Sequence, residues 1–187
     1  MRIYLFLIFA LLTVQRASAQ PDQVAGQPPR PDLSKLANME GAISMRDISD
    51  IGDLKTMKIQ LVKTTNTANK DMQVRSVRFL YNYKDANMPD VRSVYVDAVG
   101  LEQMSHYFND IQSKVFPQKS TGYAEASFKT RDGIVGGCYW SKGTWLVYMR
   151  LSEKDDNSYV YIDREDFGRF LSLLDQAKAK LTAPPGK

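Results

Sequence analysis

Val94-Tyr95-Val96-Asp97 and Val160-Tyr161-Ile162-Asp163 stand 66 residues apart, and an apolar stripe at helical spacing follows each. The first stripe is Leu101, Met104, Tyr107, Phe108, Ile111 and Val115. The second is Phe167, Phe170, Leu173, Leu174, Ala177 and Leu181, each offset from its counterpart by the same 66 positions. Steps of three and four keep such residues on one face of a helix, whereas the short runs before them alternate as strands do. A strand-to-helix unit written twice predicts a duplication. Asp97 and Asp163 fall between strand and stripe, where a short carboxylate can accept the unpaired N–H groups of a first helical turn. Both are read as N-caps.

The second unit is the clearer and calibrates the first. Gly122 to Thr130 sets Ala124, Ala126 and Phe128 on one face, Arg131-Asp132-Gly133 turns the chain, and Ile134 to Trp140 returns. Ser141-Lys142-Gly143 makes a second tight turn into Trp145 to Leu151, which is apolar on both faces and predicts a strand covered on both sides. The polar loop Glu153 to Asn157 leads to Tyr159 to Ile162 and then to the helix. By the same order, the first unit offers strands at 41–46, 55–63, 72–83 and 92–96, with a helix at 99–115. The predicted fold class is α+β: two tandem β-β-β-β-α repeats forming one domain.

Residues 1–19 carry Arg2, an apolar run from Ile3 to Val14 and the small residues Ala17-Ser18-Ala19, the layout of a cleaved export signal. The run is about twelve residues against the roughly twenty that span a bilayer, so no transmembrane anchor is expected after cleavage. Residues 20–38 hold Pro21, Pro28, Pro29 and Pro31 among polar neighbours and are expected to form a flexible linker. The domain is expected over 39–182, with repeats at 39–116 and 121–182, and residues 183–187 as a loose tail. These readings predict an exported protein of the periplasm or the extracellular space.

Of 25 basic and 21 acidic residues, the signal holds Arg2 and Arg16, which leaves 23 and 21 and a net charge of +2. That balance argues against a polyanionic partner. The single cysteine, Cys138, allows no intramolecular disulfide and is read as a small buried apolar residue.

Two consecutive units of four strands and a helix, over roughly Met39 to Leu181, resemble the PUR-type and Whirly-type repeat architecture. The hairpin Tyr123 to Gly137, together with Tyr161 to Leu181, also resembles exported bacterial proteins of uncharacterised function, departing from their hairpin pattern at Ala126 and Phe128. The first resemblance implies a single-stranded nucleic-acid binder; the second implies a compartment and brings no catalytic residues.

The residues themselves offer little catalytic chemistry. His106 is expected on the solvent side of its helix beside Glu102 and Asp110. One His and one Cys in different elements make neither a zinc set nor a nucleophilic dyad. Asp155, Asp156, Asp163, Glu165 and Asp166 lack calcium-loop spacing and read as a solvated loop and an acidic first turn. Gly133, Gly136 and Gly137 lead into a strand, unlike a phosphate loop. No catalytic residue, metal site or cofactor is assigned. The candidate ligand-binding residues are Tyr95, Tyr159 and Tyr161, which alternation places on the strand faces turned away from the helices, with Tyr148 and Arg150 nearby in sequence order. The apolar character of Trp145 to Leu151 predicts that the other repeat covers this surface. The expected function is a non-catalytic binding module for a protein, glycan or small ligand, in an undetermined oligomeric state. A single-stranded nucleic-acid binder is the alternative, and a carboxylate-dependent hydrolase ranks third.

Overall fold

The computed structural model describes residues 43–69, 72–82 and 91–183. The export signal, the linker, the loop at 84–90 and the tail from Pro184 lie outside them. Among the described residues, two antiparallel sheets are formed, each of four strands in sequential order. The first holds β1 (Ser44–Leu54), β2 (Met57–Asn66), β3 (Gln73–Tyr81) and β4 (Arg92–Val96), and helix α1 (Ala98–Asp110) follows, continued by a π-helical turn at Ile111–Val115. The second holds β5 (Glu125–Lys129), β6 (Val135–Ser141), β7 (Thr144–Arg150) and β8 (Tyr159–Ile162), followed by helix α2 (Arg164–Thr182).

The helices lie against each other between the sheets. Helix α1 packs on β4 and β6, while α2 reaches β1, β2 and β3 of the first sheet and β7 and β8 of its own. Inward residues of both sheets, among them Ile59, Phe79, Val147 and Ile162, join the helix stripes in one apolar core. At its centre the Phe108 ring meets Phe128 at 4.8 Å and Phe170 at 4.9 Å, both edge-on, the arrangement aromatic quadrupoles favour. Each sheet therefore buries one face and turns the other outward.

Three details differ from the sequence reading. The opening strand is 11 residues long, not the short run at 41–46, and extends through Asp47–Leu54 to a turn at Lys55. Residues 43–50 are exposed on both faces, so no alternation marks them, and a bulge between Asp50 and Gly52 then shifts the phase. Both helix-preceding aspartates occupy N-cap positions, but only Asp97 caps with its side chain, accepting the Gly100 N–H at 2.8 Å. Asp163 makes no such bond; the Lys55 ammonium, carried on the β1–β2 turn, holds it at 2.6 Å together with Asp166 at 2.7 Å. Finally, Asp155 is not part of a solvated loop. Its carboxylate is buried, accepts the Tyr81 hydroxyl and pairs with Arg92, both at 3.0 Å, and so ties the β7–β8 loop to the first sheet.

Candidate functional site

Register decides what the outer face of the second sheet presents. In β5–β6, Glu125 lies opposite Tyr139 and Ser127 opposite Gly137. Gly137 is in turn opposite Tyr148, Tyr148 opposite Tyr161, and Arg150 opposite Tyr159. These residues share the face away from the helices, because their neighbours Cys138, Val147, Met149, Val160 and Ile162 belong to the core.

The tyrosines form a continuous row. Ring centroids are 6.3 Å apart for Tyr139 and Tyr148, 5.9 Å for Tyr148 and Tyr159, and 5.9 Å for Tyr159 and Tyr161, the last pair with planes only 12° apart. Tyr161 is 56% exposed, whereas Tyr148 in the middle of the row is 7% exposed. Tyr148 fits because Gly137 opposite it has no side chain: a Cβ there would stand 2.9 Å from the Tyr148 hydroxyl. Lying toward β5, that hydroxyl donates to Glu125 Oε1 at 2.6 Å, and the Tyr123 hydroxyl donates to Oε2 at 2.6 Å. The two donors, Tyr123 first, hold the Glu125 carboxyl below the usual glutamate range. Burial, and then Glu125, pushes the Tyr148 phenol well above the usual tyrosine range. At the other end Arg150 sits 5.4 Å from the Tyr159 ring centroid and donates to Asp156 at 2.7 Å. The result is a row of tyrosine rings, parallel at Tyr159 and Tyr161 and tilted elsewhere, with a fixed anion toward β5 and an arginine stacked on Tyr159.

The five residues proposed from sequence divide. Tyr148, Arg150, Tyr159 and Tyr161 come together, but Tyr95 does not join them. It lies half-buried on the outer face of the first sheet, opposite Arg78, which donates from Nε to Gln60 Oε1 at 3.0 Å. The expected cover over the row is also absent among the described residues, where Tyr161 is open and Tyr148 is shielded by its own sheet neighbours. Strand β7 reads as apolar on both faces because its outward positions include Leu146 and Tyr148, not because a second layer lies there. Three members went unnamed from sequence: Tyr139, Glu125 and Tyr123. Alternation within 123–129, combined with the hairpin at Arg131-Asp132-Gly133, carries the signal that would have paired Glu125 with Tyr139.

At Cys138 and His106 the structure follows the sequence reading. Cys138 is fully buried, and burial pushes its thiol up to about 11. The His106 side chain is 64% exposed, 3.8 Å from Asp110. Among the described residues no three His, Cys, Asp or Glu side chains converge as a metal site, and no helix is long and apolar enough to cross a membrane. Comparison with known protein families, curated proteins and solved structures finds no match for this chain.

Proposed function

We propose that the chain is an exported, non-catalytic binding module whose ligand is a protein, glycan or small molecule engaged by the outer face of the second sheet. One observation carries this reading: the parallel Tyr159 and Tyr161 rings, with Tyr161 open, beside Arg150 and joined through Tyr148 to the doubly anchored Glu125. Flat rings offer apolar area at small entropic cost, and the flanking charges fix a ligand's orientation. In this reading the two β-β-β-β-α units are copies of one ancestral unit, as in the PUR-type and Whirly-type architecture, and the mature protein works in the periplasm or outside the cell.

The test is a direct binding screen of the purified mature chain against glycans, envelope proteins and small solutes, repeated with Tyr161→Ala. Loss of about tenfold in affinity with unchanged melting supports the tyrosine face, since a central aromatic anchor contributes on that scale. Equal affinity in the variant overturns it. Single-stranded nucleic acid is the second reading, because stacked aromatics beside an arginine also suit bases. Glu125, Glu153 and Asp156 around the same row weigh against a phosphate backbone. Oligonucleotide affinity that falls steeply with salt would favour this alternative.

A further inference from the structure

Helix α1 buries Ile111 but leaves Tyr107 and Val115 partly open, where α2 buries the whole of its stripe. The 66-residue offset pairs Tyr107 with Leu173, Ile111 with Ala177 and Val115 with Leu181. All three residues of α2 are buried, and α2 runs along the long strand β1 so closely that a Cβ on Gly52 would meet Leu173 at 2.6 Å. On α1, Tyr107 is 37% exposed and Val115 is half-buried, because the strand beside them, β5, has only five residues where β1 has 11. An open groove of about 230 Å³ remains between α1 with its π-turn and β5, floored by Tyr107, Ile111, Val115, Ala126 and Phe128.

Among the described residues, strand β5 is also an edge of its sheet. The bonds Trp140 N–H to Ala124 O and Thr130 N–H to Ile134 O turn the even-numbered peptide groups toward β6. Antiparallel alternation then directs the N–H and C=O of Glu125, Ser127 and Lys129 away from the sheet, as a template for another strand. The sequence of that edge is self-complementary. A two-fold axis at Ser127 sets Glu125 opposite Lys129 of a second copy, and Lys129 opposite its Glu125, on the outer face. On the inner face it sets the small Ala126 opposite the large Phe128, twice. At the groove rim Asp110 and Lys114 pair with each other at 2.8 Å, so together they add no net charge to oppose a second copy.

We infer that β5 pairs antiparallel with β5 of a second copy about Ser127, closing the α1 groove and joining two four-stranded sheets into one. The pairing does not rest on what the tyrosine row binds, although Glu125 and Ser127 both contact the Tyr148 hydroxyl, so sedimentation and not ligand binding is its readout. It sets two such rows on one continuous outer face, so a repetitive ligand would be held at two points. Strand β1, the corresponding edge of the first sheet, does not match this complementarity: it carries Arg46, Asp47 and Asp50.

Sedimentation of the mature chain over a concentration series tests the inference, with three substitutions at one site. The native chain is expected to dimerise. Ser127→Pro removes an outward N–H without breaking a β5–β6 bond, so it should weaken the dimer by about tenfold or more while the melting temperature holds. Ser127→Lys, which sets two ammonium groups face to face, should do the same and serves if the proline variant does not fold. Ser127→Cys should cross-link under mild oxidation, because paired Cα atoms in such a register lie about 5.5 Å apart, within disulfide range. Cys138 is buried and does not compete. A chain that stays monomeric throughout, a dimer indifferent to Ser127→Pro and Ser127→Lys, or an edge that accepts only a foreign peptide overturns the inference.

Discussion

Gly137 and Tyr148 depend on each other. A side chain at 137 would meet the Ala126 carbonyl at 2.6 Å as well as the Tyr148 hydroxyl, so Gly137→Ala must displace either the β5 backbone or the ring. A destabilisation of about 1 to 3 kcal/mol is expected from such crowding, measured by urea unfolding, together with loss of any ligand bound on the row. Cys138, the next residue in the chain and turned into the core, gives a complementary readout. With its thiol fully buried and its pKa pushed up to about 11, it should resist alkylation in the native chain and react at once in denaturant. Rapid native labelling would mean that the β5–β6 hairpin opens readily. At this scale the chemistry was half legible. Tyrosines could be assigned to a face by parity alone, but Glu125 gained its place from the Tyr123 and Tyr148 hydroxyls, and only the fold brings Tyr148 within reach.

The two helix starts look alike in sequence and differ in physics. Asp97 is 15% exposed, caps Gly100 and pairs with the nearly buried Arg131. Asp97→Ala therefore removes a cap and strands a guanidinium, which should cost about 2 to 4 kcal/mol. Asp163 is 64% exposed and shares Lys55 with Asp166, so Asp163→Ala should leave the melting temperature unchanged. Equal effects of the two substitutions would contradict this contrast. Phe170 is fully buried against Phe108, and Phe170→Ala should cost about 3 to 5 kcal/mol by cavity formation, read as a lower urea midpoint. The helices were legible because burial of a continuous stripe imposes a period over four or five turns. Strand β1 was not, since its first half faces solvent on both sides and nothing selects for alternation there.

Across the whole molecule, the contact between the sheets gives acid sensitivity a defined site. Burial pushes the Asp155 carboxyl upward, but the Asn157 N–H, the Tyr81 hydroxyl and Arg92 overcome it and hold the group below the usual aspartate range. A carboxyl depressed in the folded state adds stability above its unfolded pKa of about 4, and that stability is lost as pH falls through the lower folded value. Glu125 behaves with the same sign. Urea midpoints should therefore drop below about pH 4, and Asp155→Asn should lower the midpoint at neutral pH while flattening its acid decline. An unaltered profile in Asp155→Asn would assign the acid loss to other carboxylates. The sequence by itself determined the order of elements, the identity of the buried helix faces and the outward direction of the tyrosines on β4 and β8, because each follows from a local period that burial enforces. Tertiary structure alone decided that Tyr95 stands apart from the other tyrosines, that Asp155 bridges the sheets, and that α1 keeps an open flank beside β5. Those outcomes depend on register, strand length and the distance between layers, which join residues far apart in the chain and leave no periodic mark on it.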